Sequence, residues 1–251
     1  MIERLDSPEE LRRFRTDEVR AGTALWATVL AAFAMLLLSA CAAEDADDDA
    51  TGAGPRAPTA EEAERFASTR LNAYQDKIRR VDGAVVTESG SVQISGWVDT
   101  VGHRGYGLVS GPGVSPFLAL WSPSTVSAQS APGVYAPVPI PADGWETTQL
   151  DPESSQLAAA HVLLVSLAND VADNPVLVAQ SGVNWLREDA VGQLAVDVFT
   201  GPIPTGSTSS SYRYWIDREG NLARVEAKLD GVRWSSFTFA PADELDLEWP
   251  E

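Results

Sequence analysis

The stretch SYRYWIDREGNLARVEAKLDGVRWSSFTF, residues 211–239, determines the fold class of this chain. Tyr212 and Tyr214 lie at alternate positions, as do Phe237 and Phe239, and such alternation is typical of strands with one buried face. The DREGN segment and the later Asp-Gly pair have the composition of tight turns. The stretch therefore predicts three antiparallel strands joined by two hairpin turns.

Two further strands and a buried helix are predicted immediately before this stretch. Residues 175–189 and 192–201 are rich in apolar, strand-forming residues and flank a turn at residues 189–192. Residues 151–170 begin with the helix-start signal Asp-Pro-Glu and continue as a helix that is apolar on nearly every side. We expect this helix to be buried on more than one side and to end at an Asn-Pro pair.

The amino-terminal half of the domain contains one more helix and several strands. Thr59 and Glu62 have the spacing of a capping box, and Phe66 belongs to the apolar stripe that follows it. This helix is expected to reach about Arg80. Residues 92–99 alternate as a strand, and two shorter apolar segments further along the chain predict returning strands.

The order of these elements predicts an α+β fold. One helix, several strands, a buried helix and at least five more strands imply an antiparallel sheet. A sheet of this size with two helices tends to curl around them, which gives an open half-barrel whose concave side is covered by helices. The Pro-rich segment, residues 131–145, cannot form regular ladders and is expected to be either a structured lid or a loose excursion.

A second signature lies near the amino terminus, where residues 21–43 carry no charge and include Leu-Ser-Ala-Cys. Cys41 is the only cysteine of the chain. The tetrapeptide resembles the lipobox of bacterial lipoproteins, which implies acylation of the Cys41 thiol, with palmitate or a similar chain, and cleavage before it. The alternative is a plain signal anchor with a buried cysteine. Residues 1–41 are thus predicted as a lipoprotein signal peptide, with residues 1–18 either an extension upstream of the true start or a cytoplasmic stub.

The distribution of charge predicts where the protein lies. Arginines precede the uncharged run and acids follow it, which favours a body outside the cytoplasm. Residues 42–58 hold no large apolar side chain and are predicted to be an acidic flexible tether, and residues 243–251 a frayed acidic tail. The formal net charge of −18 makes nucleic acid a poor partner. We expect a lipid anchor at Cys41 on the extracytoplasmic face of the cell membrane.

Residues 59–242 resemble the LolA/LppX-like family of bacterial lipoproteins. The resemblance rests on Cys41, the first helix, the meander after VQISGWVD, the late buried helix and the closing strands of residues 196–239. Members of this family are open half-barrels whose concave face holds acyl chains. The resemblance therefore implies an apolar cavity with lipid or lipoglycan as cargo, and the Pro-rich segment departs from the family's pattern.

Alternation and the resemblance together predict which side chains would line such a cavity. The candidates are apolar or aromatic residues of the strands and of the late helix. They are Val92, Ile94, Val98, Leu118, Leu120, Trp121, Leu164, Leu167, Val183, Trp185, Val196, Val198, Tyr214, Val225, Phe237 and Phe239. The alternation of apolar residues along a strand is the same whether their side chains line a cavity or fill a core. The alternative function is therefore a binding or sensor module with a filled core that acts through protein partners.

The sequence predicts no enzymatic activity, metal or cofactor. It contains no nucleophile elbow, phosphate-binding loop or His-Glu-x-x-His motif. Its two histidines are too few for a zinc site of the usual ligand count. His103 lies in a Gly-rich turn and is expected to be solvated, whereas His161 is expected to be a hydrogen-bonded residue of the core.

Overall fold

A computed structural model describes residues 54–242 and 245–250. In this part of the chain, three helices span Ala60–Gln75 (α1), Gln156–Ser166 (α2) and Pro175–Gln180 (α3). The strands are Ile78–Thr87 (β1), Gly90–Asp99 (β2), Arg104–Gly111 (β3), Val114–Trp121 (β4), Thr125–Ser130 (β5), Glu146–Gln149 (β6), Trp185–Val191 (β7), Leu194–Thr200 (β8), Tyr212–Ile216 (β9), Leu222–Ala227 (β10) and Ser235–Pro241 (β11).

The eleven strands of the described residues form one antiparallel sheet in the order β6-β5-β4-β3-β2-β1-β11-β10-β9-β8-β7. Within β1 to β6, and again within β7 to β11, consecutive strands pair with each other, so that each half is a meander. The two meanders meet at one seam, where β1 pairs with β11 from Arg79 opposite Pro241 to Ala84 opposite Ser236. β6 and β7 are the two edges, and the sheet does not close into a barrel.

The hairpin of β9 and β10 forms as the sequence predicts, and the Asp217 carboxylate stabilises its turn. It accepts hydrogen bonds from the backbone N–H groups of Glu219 at 3.0 Å and Asn221 at 2.7 Å. Gly220 has a φ of 85°, and a Cβ at this position would lie 2.5 Å from Ser68 Oγ on α1. The turn therefore requires glycine both for its backbone conformation and for its close approach to the helix.

Helix α1 begins where the sequence predicts and ends earlier. The capping box is confirmed, since the Thr59 side chain accepts from the Glu62 N–H and the Glu62 side chain accepts from the Thr59 N–H. The prediction that this helix reaches Arg80 is wrong, because it ends at Gln75 and β1 follows. Lys77 adopts a φ of 60°, a left-handed conformation that a right-handed helix cannot contain.

The segment between β6 and β7 departs from the sequence prediction at both of its helices. Helix α2 begins after its cap Ser155 rather than at Asp151, because the Ser155 side chain accepts the Ala158 N–H at 3.1 Å, and it ends at Ser166 rather than near residue 170. Residues 175–180 were predicted as a strand and form α3 instead, with the Asn174 side chain capping its first turn. Proline suits the first turn of a helix, so the Asn-Pro pair starts α3 rather than ending α2, whose last residue is Ser166.

Alternate residues of the strands belong to two faces with different hydrophobic clusters. One face, called here the core face, carries the large cluster in which side chains of all three helices pack with those of the strands. This cluster includes Phe66 from α1, Leu164 from α2 and Phe237 from β11. The opposite face, called the outer face, carries two smaller clusters, one with Tyr106 and one with Trp215.

The Pro-rich segment, residues 131–145, packs on the outer face. The Tyr106 hydroxyl donates to the Pro137 carbonyl at 2.8 Å, and the Trp145 ring lies edge-on to Tyr106 with the ring centroids 6.3 Å apart. Leu247 is buried in the same cluster, so the carboxyl-terminal tail, expected to be frayed, packs here as well. The segment is therefore structured, on the face of the sheet opposite the helices.

Candidate functional site

A pocket of about 450 Å³ opens between the three helices and strands β9 and β10. Its lining is mostly apolar, and its polar members come mainly from α1 and from the loop between α2 and α3. The lining residues are Phe66, Thr69, Arg70, Leu163, Ser166, Leu167, Asp173, Asn174, Leu177, Val178, Ser181, Pro202, Tyr212, Tyr214, Ile216 and Leu222. A cavity of this volume lies within the range of sites that hold one small ligand.

One side of the pocket is aromatic. Phe66 lies edge-on to Phe199 and to Tyr214, with ring centroids 5.8 Å and 5.3 Å away. Tyr212 and Tyr214 follow on the same face of β9, with their ring centroids 6.4 Å apart. The rings of Phe66, Tyr212 and Tyr214 present a rigid apolar surface to whatever enters the pocket.

An ion pair also lines the pocket. Arg70 Nη1 on α1 is 3.5 Å from Asp173 Oδ1 on the loop between α2 and α3. Two backbone hydrogen bonds tie this loop to α1: Asn169 N–H donates to the Arg70 carbonyl at 3.0 Å, and Asp173 N–H donates to the Ala67 carbonyl at 2.9 Å. The loop therefore has a fixed position beside the pocket.

The pocket also contains two phenol groups. Burial raises the pKa of Tyr214 to about 12, and the neighbouring Tyr212 adds to the shift. The Tyr214 hydroxyl therefore stays protonated at neutral pH. Neither hydroxyl hydrogen-bonds to another of the described residues, so both are available as donors and acceptors to the polar end of a ligand.

The structure brings two of the predicted cavity-wall residues, Leu167 and Tyr214, to this pocket. Most of the other candidates belong to the packed cluster of the core face. They are Val92, Ile94, Val98, Trp121, Leu164, Val183, Trp185, Val225 and Phe237, with Phe239 packed against them. These side chains fill the space between the helices and the sheet.

Four candidates lie on the outer face instead. Leu118 and Leu120 belong to one outer-face cluster, and Val196 and Val198 belong to the other. Successive residues of a strand point to opposite faces, and in β4 it is Trp121 that reaches the core face. Apolar side chains cover both faces of the sheet here, so alternation gives no sign of which face holds the helices.

Several lining residues were not among the sequence candidates. Helix α1 contributes Phe66, Thr69 and Arg70, and α3 contributes Leu177. The apolar stripe that includes Phe66 was a usable signal, because helix positions spaced by three or four residues share a buried face. Leu177 gave no such signal, since residues 175–180 have the composition of a strand.

Cys41, the signal peptide and most of the predicted tether lie outside the described residues. The last part of the tether is held on the domain through Arg56. Its guanidinium donates to both carboxylate oxygens of Glu62 at 2.7 Å and lies 4.3 Å from the centroid of the Trp185 ring. Arg56 and Trp185 also exchange two backbone hydrogen bonds, of 3.0 Å and 2.9 Å. Arg56, near the end of the predicted tether, is therefore fixed to the domain.

The two histidines differ from their predicted environments. His161 is buried, but its Nε2 has no hydrogen-bond partner among the described residues, and burial lowers its pKa to about 4. His103 is half-buried, with Nδ1 3.0 Å from the Val165 carbonyl oxygen. Residues 54–242 and 245–250 contain no group of three or more His, Cys, Asp or Glu side chains that could hold a metal ion. In the same residues, no helix combines the length and the apolar character needed to cross a bilayer.

Two of the solved structures that match this chain have names that refer to lipoproteins. The lipoprotein LppX of Mycobacterium tuberculosis is 13% identical, with 75% of this chain and 98% of LppX covered and a TM-score of 0.43. A domain described as an outer membrane lipoprotein-sorting protein from Vibrio parahaemolyticus is 10% identical, with 74% and 92% covered and a TM-score of 0.22. No family model matches the chain, and no curated protein matches it.

Proposed function

We propose that this chain is a lipoprotein anchored to the extracytoplasmic face of the cell membrane, and that it binds or carries lipid in its apolar pocket. The anchor is an acyl chain on Cys41, and residues 42–55 connect it to the domain. The domain is an open half-barrel with the helices on the concave side of the sheet. The protein acts by binding and has no catalytic step.

The pocket is the observation that carries this proposal. Its aromatic side, built on Phe66 and Tyr214, suits the hydrocarbon part of a lipid, and each CH₂ group removed from water contributes about 0.8 kcal/mol. The polar part of the ligand would meet Arg70, Asp173 and the tyrosine hydroxyls. The pocket is small, so the proposal favours one hydrocarbon chain at a time over a bulky lipid with several chains.

Native mass spectrometry of the full chain, expressed with access to membrane lipids, tests this function. We expect non-covalent adducts of lipid mass in addition to the covalent acyl mass on Cys41. Ser166→Trp places an indole in the pocket from an exposed position of α2 and should reduce the adduct at least about tenfold. Ser209→Trp is the matched control, because Ser209 is exposed and lies outside the pocket lining. Wild-type protein that carries no lipid adduct would contradict the proposal.

A binding module that acts through protein partners is the second candidate function. It is favoured by Val134 and Tyr135, which are 76% and 82% exposed on the Pro-rich segment. Large exposed apolar side chains that lie next to each other often mark a site of protein contact. If the wild-type chain carries no lipid, Tyr135→Ser is the variant with which to test this function, by comparing the partners that cross-link to each protein.

A further inference from the structure

The loop and short helix beside the pocket expose large apolar side chains to solvent. Val171, Val176 and Leu177 are each exposed by 60% or more of their surface. Leu177 lines the pocket. Asp173 and Asn174, which lie between Val171 and Val176 in the chain, line it as well. We call Val171, Val176 and Leu177 the apolar rim.

The apolar rim is held in place rather than loosely attached. The loop that contains Val171 is hydrogen-bonded to the α1 carbonyls of Ala67 and Arg70, and Asn174 caps the helix that carries Val176 and Leu177. A soluble domain gains nothing by keeping apolar side chains exposed on a fixed support next to an apolar pocket. The arrangement therefore points to a surface that the rim contacts.

The path of the chain indicates which surface this is. Residue 55 precedes Arg56, which is fixed to Glu62 in the first turn of α1, and Thr69 in the same helix lines the pocket. The rise from Glu62 to Thr69 is about 10 Å. Residues 42–55 separate Cys41 from Arg56, and a chain of that length has a root-mean-square span of roughly 20 Å when it is flexible. The proposed lipid anchor lies at the start of this segment, so the bilayer is the candidate surface.

We propose that the apolar rim inserts into the outer leaflet of the membrane that carries the anchor, and thereby places the pocket mouth against the lipid from which it takes its ligand. The inference rests on the proposed function. The side chains at the rim are apolar with one Arg–Asp pair beside them, and the chain is strongly acidic, so the attachment is hydrophobic rather than electrostatic. It should therefore persist in high salt.

Depth-dependent fluorescence of the acylated full chain in phosphatidylcholine vesicles tests the proposal. Because acylation occupies Cys41, the only native cysteine, Val176→Cys provides a single thiol for an environment-sensitive label. Val134→Cys is the matched control, since Val134 is also highly exposed but lies on the Pro-rich segment. We expect a blue-shifted label at residue 176 whose quenching by lipid-borne quenchers is at least about fivefold stronger than at residue 134.

Each result has a definite meaning. Equal, solvent-like signals at the two labels, or stronger quenching at residue 134, would overturn the proposal. If Cys41 is not acylated, the Val176→Cys protein has the unacylated mass and takes up two labels. That result would overturn the anchor and the proposed function, and it differs from the result expected if only the membrane insertion of the rim is wrong. Adding Val171→Ser and Leu177→Ser should return the label at residue 176 to solvent, whereas adding Val134→Ser should not.

Discussion

The imidazole of His161 stacks on the indole of Trp121, with ring centroids 4.7 Å apart and an interplanar angle of 21°. Both rings are buried, His161 on α2 and Trp121 on β4, and both have a ring nitrogen without a hydrogen-bond partner among the described residues. A charged imidazolium would have to lose its hydration in this place with no hydrogen-bond acceptor in the described part of the chain for its Nε2 proton. The core therefore favours the neutral form of His161.

Stability should depend on this histidine at mildly acidic pH. Burial lowers the pKa of His161 from 6.5 to about 4, so the unfolded chain binds the proton more readily. The free energy of unfolding should therefore fall as the pH falls from 6.5 to 4, by up to about 3 kcal/mol from this residue. Denaturant titrations across this range measure the slope. His161→Phe should remove this contribution while His103→Gln retains it, and an unchanged slope in His161→Phe would contradict the assignment.

The Arg56–Glu62 pair should stabilise the start of the domain. A hydrogen bond from Arg56 is the main cause that lowers the pKa of Glu62 to about 2. A carboxylate with a lowered pKa stabilises the fold above pH 4.5, and this contribution is lost as the pH falls towards 2. Arg56→Ala should cost about 1–2 kcal/mol at neutral pH and reduce the loss of stability in acid.

Arg80→Ala is the matched control for Arg56, because Arg80 makes an ion pair with Asp82 at 2.8 Å in which both side chains are well exposed. Such pairs contribute little, so the cost should be below about 0.5 kcal/mol. Chemical denaturation of both variants measures the difference. Equal costs would mean that the contacts with Glu62 and Trp185 add nothing to an ordinary surface pair.

Gly220 should be one of the positions least tolerant of a side chain. Alanine there would place Cβ 2.5 Å from Ser68 Oγ and 3.1 Å from the Arg65 carbonyl, in addition to the cost of a positive φ. Gly220→Ala should lower the free energy of unfolding by about 2–3 kcal/mol. Gly192 has a φ of 63°, and no atom of the described residues beyond its chain neighbours lies within 4 Å of the Cβ that alanine would add there. Gly192→Ala should therefore lower the free energy of unfolding by only about 1 kcal/mol. Equal losses would show that backbone conformation alone matters at residue 220.

The Tyr106 hydroxyl should hold the Pro-rich segment on the outer face. Tyr106→Phe leaves the Pro137 carbonyl without its donor and should cost about 1 kcal/mol. Limited proteolysis within residues 131–145 should become faster, because the segment would open more often. Tyr135 lies in the same segment, and its side chain is exposed. Tyr135→Phe should therefore change neither the free energy of unfolding nor the rate of proteolysis. Unchanged cleavage in Tyr106→Phe would mean that packing of Trp145 is sufficient.

Much of the sheet could be predicted because its signals are local. The turn at Asp217 and the capping box at Thr59 each depend on residues within four positions of one another, and both are found as predicted. Helix ends depended on weaker signals. The first helix was expected to reach Arg80, whereas residues 78–80 belong to β1, in which Ile78 pairs with Asp99.

The pocket was harder to predict because it depends on which elements meet. Leu118 and Val198 alternate as regularly as true core-face residues, and only the Pro-rich segment and the outer-face clusters show that they point the other way. Leu177 lies in α3, which has six residues and is too short for a helical period to be visible. The space left unfilled beside Tyr214 is a property of the packing and has no counterpart in the local sequence.

The seam between β1 and β11 affects how the chain folds. The other strand pairs of the described residues join neighbours in the chain, whereas Arg79 and Pro241 are separated by about 160 residues. Each meander can form by successive hairpins without the other. Closing the seam carries the largest loss of chain entropy and is expected to be the slow, late step of folding. Until the seam closes, β1 and β11 each leave a strand edge unpaired. These two strands become the middle of the finished sheet, so the site most open to pairing between two folding chains is one that the native fold buries.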